Sequence, residues 1–95
     1  MPEAIYKYPV SISPFIPFTV EMPKHPTILD VQTQDGNEYL WALVDLDEPL
    51  EEVTFIWYPT GEVPHMTIWN AEYIKTIQHP PFVWHLFRLY PEEIA

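Results

Sequence analysis

Cysteine is absent from this chain of 95 residues. Disulfide frameworks, zinc ribbons, cysteine nucleophiles and iron–sulfur clusters are therefore excluded together. Glycine occurs only twice, which rules out the glycine-rich loops that cradle phosphates in P-loop and dinucleotide-binding proteins. No apolar run approaches the roughly eighteen residues of a membrane span, and no basic-then-apolar leader opens the sequence. These absences predict a cytoplasmic protein without a cofactor.

Positive charge is also scarce. Lys7, Lys24, Lys75 and Arg88 are the only Lys and Arg residues beside fourteen carboxylates, and the net charge is −10 at pH 7. Such a surface repels phosphate backbones and anionic lipids, which argues against direct binding of nucleic acids or membranes. It is consistent with two interpretations: the charge only keeps the protein soluble, or it attracts a partner protein with a basic surface.

Apolar residues make up 47% of the chain and include four Trp, six Tyr and five Phe. That supply is enough for one folded domain, spanning residues 1–95, with a core that needs neither metal nor disulfide. Twelve prolines punctuate the sequence, six of them within the first 26 residues. Because proline removes a backbone donor and fixes φ, this region is expected to form short edge strands and turns over 4–10 and 18–22.

The clearest local signal is a hairpin over 28–44. Two β-rich runs, 28–34 and 38–44, flank Asp35-Gly36, a dipeptide that favours a two-residue turn because both positions accept positive φ. Such a turn pairs Gln34 with Asn37 and Val31 with Leu40. Alternation then predicts that one face points to the core and carries Leu29, Val31, Leu40, Ala42 and Val44. The opposite face is predicted to carry Ile28, Asp30, Gln32, Tyr39, Trp41 and Leu43.

Further short strands are expected over 53–58, 73–78 and 82–89, the last with both faces buried, while 45–52 and 62–71 are predicted to be loops. No segment has a sustained helical apolar stripe. Short, evenly spaced strands with turn signals predict an all-β fold, a small antiparallel sandwich or partly open barrel of about 6–7 strands.

Catalytic and metal-binding patterns are missing from the sequence. Its four histidines include no pair at i, i+2 or i, i+4, and His85, in an apolar strand, is interpreted as a hydrogen-bonded core or rim residue. The stretch from Asp45 to Glu48 is similar to the start of a calcium loop, but Leu50 occupies the position that requires glycine. The two serines lie in a proline-flanked segment without a nucleophile elbow. We therefore expect a protein that is not an enzyme and holds no metal.

Two segments are candidate partner-binding surfaces. The first is an acidic loop with five carboxylates in eight residues, Asp45, Asp47, Glu48, Glu51 and Glu52, which is either a solvated loop or a site for a cationic partner. The second contains three large apolar residues between prolines, Phe15, Ile16 and Phe18. It either folds over the sheet or exposes an apolar patch suited to a homodimer interface or a target protein.

The four tryptophans suggest an alternative function, the binding of a small ligand. Trp41, Trp57, Trp69 and Trp84 could stack on a base and make the protein a binder of a small ligand or nucleotide signal. An anionic ligand would also require Lys7, Lys75 or Arg88 to converge.

Several blocks resemble, in order along the chain, a family of small uncharacterised proteins of bacteriophages and prophage-bearing bacteria: 5–9, 21–23, 28–34, 40–45, 60–61, 73–74 and 83–87. The resemblance implies a phage or prophage setting but no activity. Within it, this chain is longer and more apolar over 13–18 and has Glu62 where the family tends to have histidine. Together with the charge, the resemblance predicts an accessory protein that binds another protein, in one version by inhibiting a host nucleic-acid-handling or defence system.

Overall fold

The computed structural model describes residues 2–61 and 71–90. These residues form seven strands and no helix, so no helix there could cross a membrane. The strands are β1 (Glu3–Pro9), β2 (Phe18–Pro23), β3 (Thr27–Gln34), β4 (Asn37–Asp45), β5 (Leu50–Pro59), β6 (Ala71–His79) and β7 (Phe82–Leu89). The predicted all-β fold is confirmed.

Two antiparallel sheets pack face to face as a sandwich. Sheet A has the strand order β1-β4-β3, and sheet B has the order β2-β5-β7-β6. Edge strands β3 and β6 run close to each other along one side of the sandwich. The two sheets do not join into a closed barrel.

The β3–β4 hairpin has the predicted register near its turn. Gln34 pairs with Asn37 and Val31 with Leu40. Asp35 and Gly36 have φ angles of 53° and 81°, the positive values that a two-residue hairpin turn requires. A short turn of this kind leaves the strands little freedom to slip, which explains why the local sequence was sufficient to predict the pairing.

A β-bulge corrects the predicted faces of β3. The register shifts between Ile28 and Asp30, so that Ile28 pairs with Ala42, Asp30 pairs with Trp41, and Leu29 is the extra residue. An extra residue reverses the alternation on one side of it. Leu29, predicted to face the core, is therefore 49% exposed, and Ile28, predicted on the outer face, packs against the core.

Two strand boundaries and one burial pattern also differ from the prediction. Strand β5 begins at Leu50, so the acidic segment predicted as a loop over 45–52 includes only a short turn, and Glu51 and Glu52 lie in a strand. Of the predicted 62–71 loop, Ala71 begins β6 and residues 62–70 lie outside the described part of the chain. Strand β7 was predicted to be buried on both faces, but its first residue, Phe82, is exposed.

The core lies between the sheets and is built from alternate residues of their inner faces. Trp57 lies at its centre, fully buried, and its indole Nε1 donates a 2.9 Å hydrogen bond to the carbonyl of Val10. This bond holds the segment that follows β1 against sheet B. The other buried core residues are Met22, Val31, Leu40, Ala42, Val44, Val53, Phe55, Ile77, Trp84 and Leu86.

Candidate functional site

Half of the fourteen carboxylates gather at one end of the sandwich. Strand β4 ends at Asp45, a short turn carries Asp47 and Glu48, and β5 begins at Leu50. Strand β1 begins and β2 ends at the same end, as shown by backbone bonds from Leu46 to Pro2 and from Lys24 to Pro49. We call this region the acidic end, and its members are Glu3, Glu21, Asp45, Asp47, Glu48, Glu51 and Glu52.

Two pairs of carboxylates in the acidic end lie directly opposite each other. Glu3 pairs with Asp45 across β1 and β4, and Glu21 pairs with Glu52 across β2 and β5. Residues paired in this way have Cβ atoms about 4.5–5.5 Å apart, and like charges at that separation are destabilising. The free protein therefore carries charge repulsion on both sheets at the same end.

Positive groups compensate this charge only in part. Arg88 Nη2 lies 4.0 Å from Glu51 Oε1, at the limit of an ion pair. His25 Nδ1 lies 3.7 Å from Glu48 Oε1, and both side chains are solvent-accessible. The Asp45 carboxylate receives a different kind of support, because its Oδ1 accepts a 2.9 Å hydrogen bond from the backbone N–H of Asp47, which fixes the turn. The described structure gives no ion pair to Glu3, Glu21 or Glu52, the residues of the opposed pairs on β1, β2 and β5.

The apolar segment between β1 and β2 divides between core and solvent. Phe18 packs against Phe55 with ring centroids 5.9 Å apart and contributes to the core. Phe15 folds onto the outer face of sheet B, where its ring meets Tyr58 edge to face at 5.9 Å. Ile16 between them is 63% exposed. The segment thus combines both sequence interpretations: it covers part of a sheet and still presents Ile16 and part of Phe15 to solvent.

The four tryptophans have different environments. Trp57 and Trp84 are buried in the core, so neither has an open face for stacking. Trp41 lies half-buried on the outer face of sheet A, 6.4 Å from the ring of Tyr39, with Lys7 Nζ 4.5 Å above that tyrosine ring. Trp69 lies outside the described residues. Stacking on Trp41 stays a prediction.

A groove of about 400 Å³ opens between edge strands β3 and β6. Its walls include both bulged residues, Leu29 of β3 and Ile74 of β6, and the end of β7 with Arg88 and Tyr90. The remaining lining residues are Pro26, Thr27, Ile28, Asp30, Glu72 and Tyr73. A volume of this size falls within the range of small-ligand sites.

The polar groups of the groove are unequally satisfied. Asp30 accepts a 2.8 Å bond from Lys75 and a 2.9 Å bond from Gln32, and these bonds, with one from the amide of Val31, lower its pKa. Tyr90 donates to Glu72 at 3.0 Å, and burial followed by that bond raises its pKa. Arg88 stacks on the Tyr90 ring at 4.4 Å, but its buried Nε–H has no acceptor among the described residues. The groove therefore contains a donor that no described residue satisfies.

Two histidines, His79 and His85, act as hydrogen-bonding residues of the fold. His85 lies between Thr60 Oγ1, 2.7 Å from Nε2, and Thr76 Oγ1, 2.9 Å from Nδ1. His79 Nδ1 lies 3.2 Å from the buried carboxylate of Glu38, at the end opposite the acidic end. Among residues 2–61 and 71–90, no three His, Asp or Glu side chains are placed to hold a metal ion.

The groove was missed by sequence reasoning, since it depends on two bulges and on strands distant in the chain. The only sequence signal was the requirement that cations converge for an anionic ligand. Two of the three named cations do so: Arg88 lines the groove and Lys75 bonds to Asp30 in its wall, whereas Lys7 bonds to Gln34 on sheet A.

Comparison with known proteins places the chain in a family. No curated protein and no solved structure matches it. The family model described as a domain of unknown function, DUF7352, matches residues 1–95. The chain therefore belongs to the DUF7352 family.

Proposed function

We propose that this protein is a binding module that attaches to a basic surface of another protein through its acidic end. The observation that carries the proposal is the pair of directly opposed carboxylates on each sheet, Glu3 with Asp45 and Glu21 with Glu52. The free protein bears this repulsion without a matching set of cations. A partner that supplies Lys or Arg side chains relieves it on binding, so the acidic end has more to gain from a cation than isolated surface carboxylates have.

The proposal extends to a phage or prophage setting in which the partner is a host nucleic-acid-handling or defence protein. In this version the carboxylates occupy positions that phosphates would take. The cross-strand pairs support it, because each holds two negative groups about 4.5–5.5 Å apart at fixed positions. Glu51 and Glu52, which the sequence assigned to a loop, lie in β5 and add to the strand-borne set.

Capture from a host lysate at increasing salt tests the proposal. We expect a captured protein whose binding weakens with ionic strength, since exposed charge pairs are screened. The double variant Glu21→Gln, Glu52→Gln should weaken its binding by at least about tenfold, because a close interfacial charge pair couples by roughly 1.5 kcal/mol or more.

The matched control is Asp35→Asn, in the β3–β4 turn at the other end of the sandwich, compared with the single variant Glu52→Gln, which makes the same change in net charge within the acidic end. Binding by this control should stay close to that of the unmodified protein. Equal losses in the two variants would show that only net charge matters, and capture that is insensitive to salt would exclude the acidic end as the contact.

A second candidate function, binding of a small ligand, is favoured by the β3–β6 groove. The ligand would accept a hydrogen bond from Arg88 Nε–H, which lacks an acceptor among the described residues, and would contact the rings of Tyr73 and Tyr90. A thermal-shift screen of nucleotides against the unmodified protein and Arg88→Met tests this function, because a ligand of the folded state raises the melting temperature. Stabilisation that survives Arg88→Met would place the ligand elsewhere.

A further inference from the structure

The sandwich has four edge strands, and three of them are protected against pairing with another chain. Strands β3 and β6 each contain a bulge, at Leu29 and at Ile74, and they face each other across the groove. Strand β2 is six residues long, carries Glu21 and ends at Pro23. Bulges, charges, prolines and short length are the ways in which natural sheets prevent edge-to-edge association.

Strand β1 also carries charges, Glu3 and Lys7, and ends at Pro9, but it contains no bulge and no proline between its ends. It pairs with β4 in continuous register over seven residues, from Glu3 opposite Asp45 to Pro9 opposite Tyr39. On its other side, no described strand pairs with it. Ile5, in the middle, is 61% exposed, and the neighbouring Tyr6 is also exposed. The outer edge of β1 thus offers a regular row of backbone donors and acceptors, and exposed apolar side chains lie beside it.

The order of side chains on β1 is self-complementary. Glu3, Ile5 and Lys7 all lie on the outer face of sheet A, because they pair with Asp45, Leu43 and Trp41. When two copies of such a strand run antiparallel about a twofold axis at Ile5, residue 3 of one copy lies opposite residue 7 of the other. Each Glu3 then faces a Lys7, and the two Ile5 side chains meet at the centre.

We infer that the protein forms a homodimer through antiparallel pairing of its β1 strands, centred on Ile5. The two three-stranded sheets then join into one six-stranded sheet. Lys7 gives up its 3.0 Å bond to the neutral Gln34 and its contact with the Tyr39 ring for a bond to a carboxylate of the second copy. That carboxylate, Glu3, is already repelled by Asp45, so the contact also relieves one of the opposed pairs.

The antiparallel arrangement limits the electrostatic repulsion between the two negatively charged copies. Glu3 belongs to the acidic end, and Lys7 lies further along β1, away from it. The two acidic ends therefore point away from each other in the dimer, and the repulsion between them is reduced by distance and by salt. The dimer does not depend on the proposed function, but it would give that function two binding ends in one particle.

Cysteine cross-linking tests the register, and the natural absence of cysteine makes a single introduced thiol a clean reporter. In the proposed dimer, the two residues at position 5 have Cα atoms about 4.5–5.5 Å apart, within the range that a disulfide spans. Ile5→Cys should therefore form a covalent dimer under mild oxidation. Leu50→Cys, equally exposed but on another strand, is the matched control and should cross-link at least about tenfold more slowly.

Sedimentation equilibrium of charge variants tests the pairing of Glu3 with Lys7. Each single variant, Glu3→Lys or Lys7→Glu, places like charges opposite each other twice per dimer and should raise the dimer dissociation constant at least about tenfold. The double variant Glu3→Lys, Lys7→Glu restores opposite charges and should return the constant to within about threefold of the original.

Melting curves of every variant confirm that it is folded, which keeps the comparison valid. A protein that sediments as a monomer at all concentrations overturns the inference. So does cross-linking of Ile5→Cys no faster than that of Leu50→Cys, or a folded double variant that fails to regain the dimer. Loss of partner capture with an intact dimer would instead count against the proposed function alone.

Discussion

Trp57 and Val10, 47 residues apart in the chain, are joined by a buried 2.9 Å hydrogen bond from the indole Nε1 to the backbone carbonyl. Both residues are fully buried. The bond fixes the segment after β1 to the central strand of sheet B, so the path of the chain between the sheets depends on it. It also shows that Trp57 is a structural residue whose single polar atom is already satisfied.

Trp57→Phe should destabilise the protein strongly. The variant leaves the Val10 carbonyl buried without its donor, which costs about 1–3 kcal/mol, and the smaller ring leaves a cavity that adds to this cost. Urea denaturation measures the free energy of unfolding. Trp41→Phe, at a half-buried position, is the control and should cost clearly less, so an equal loss in both variants would contradict this role for Trp57.

Tyr58→Phe should leave the stability unchanged or raise it by up to about 1 kcal/mol. The hydroxyl of Tyr58 is buried with no hydrogen-bond partner among the described residues, and removing such a group relieves an uncompensated desolvation. Thermal denaturation measures the effect. A loss of more than about 1 kcal/mol would show that the hydroxyl has a partner in solution.

The same tyrosine should affect stability at alkaline pH. Burial raises the pKa of Tyr58, so in the unfolded chain the phenol ionises at a lower pH than in the folded protein. Below the unfolded pKa of about 10 the phenol is protonated in both states, and its contribution to the free energy of unfolding is present in full. That contribution is lost as the pH rises through the higher folded pKa, because the unfolded chain has already released its proton. The melting temperature of Tyr58→Phe should therefore fall less steeply above pH 10 than that of the unmodified protein.

The Asp30–Lys75 ion pair should also make stability depend on pH, but its contribution is lost as the pH falls, whereas that of Tyr58 is lost as the pH rises. The pKa of Asp30 is lowered, first by its bond to Lys75 and then by those to Gln32 and Val31. The contribution is present above the unfolded pKa of about 3.9 and disappears as the pH falls through the lower folded pKa. Lys75→Met should lower the melting temperature slightly at pH 7 and not at low pH, whereas Lys7→Met, which removes a bond to neutral Gln34, should show no such difference between the two pH values.

Ile28→Asp and Leu29→Asp test the bulge directly. Simple alternation would pack Leu29 against the core, but the structure packs the partly buried Ile28 there. Ile28→Asp should cost about 1–3 kcal/mol, because it places a charge against the core at a partly buried position, while Leu29→Asp should stay within about 0.5 kcal/mol of the unmodified protein. If urea denaturation shows that Leu29→Asp loses more stability than Ile28→Asp, simple alternation describes β3 and the bulge is wrong.

The bulge also shows how far the sequence could predict this fold. Asp35-Gly36 determines its own turn from local backbone preferences, so the pairing of Val31 with Leu40 followed from neighbours in the chain. The shift at Leu29 depends on how β3 meets the rest of the sandwich, and no residue type there announces it. The turn, which depends on the backbone preferences of two adjacent residues, was predicted. The bulge, which depends on packing against residues distant in the chain, was not.

The candidate site shows the same division. The concentration of carboxylates was evident from composition, but the pairing of Glu21 with Glu52 required strands β2 and β5 to meet. Trp41 and Trp57 are the same residue type in strands of similar composition, yet one lies half-buried on an outer face and the other is fully buried. The groove between β3 and β6 could not be anticipated, since it forms where two strands distant in the chain meet at their bulges.

Phe15 has a φ of 63°, a left-handed backbone conformation that costs a bulky side chain about 1–2 kcal/mol. The conformation is held by the ring contact with Tyr58, by a backbone bond from its own amide to Trp57, and by a second from Ile16 to Ser13. These contacts restrict the conformations open to the loop before a partner touches it. A molecule that docks on Ile16 would therefore meet a preorganised contact and lose little conformational entropy there, which would lengthen the lifetime of the complex.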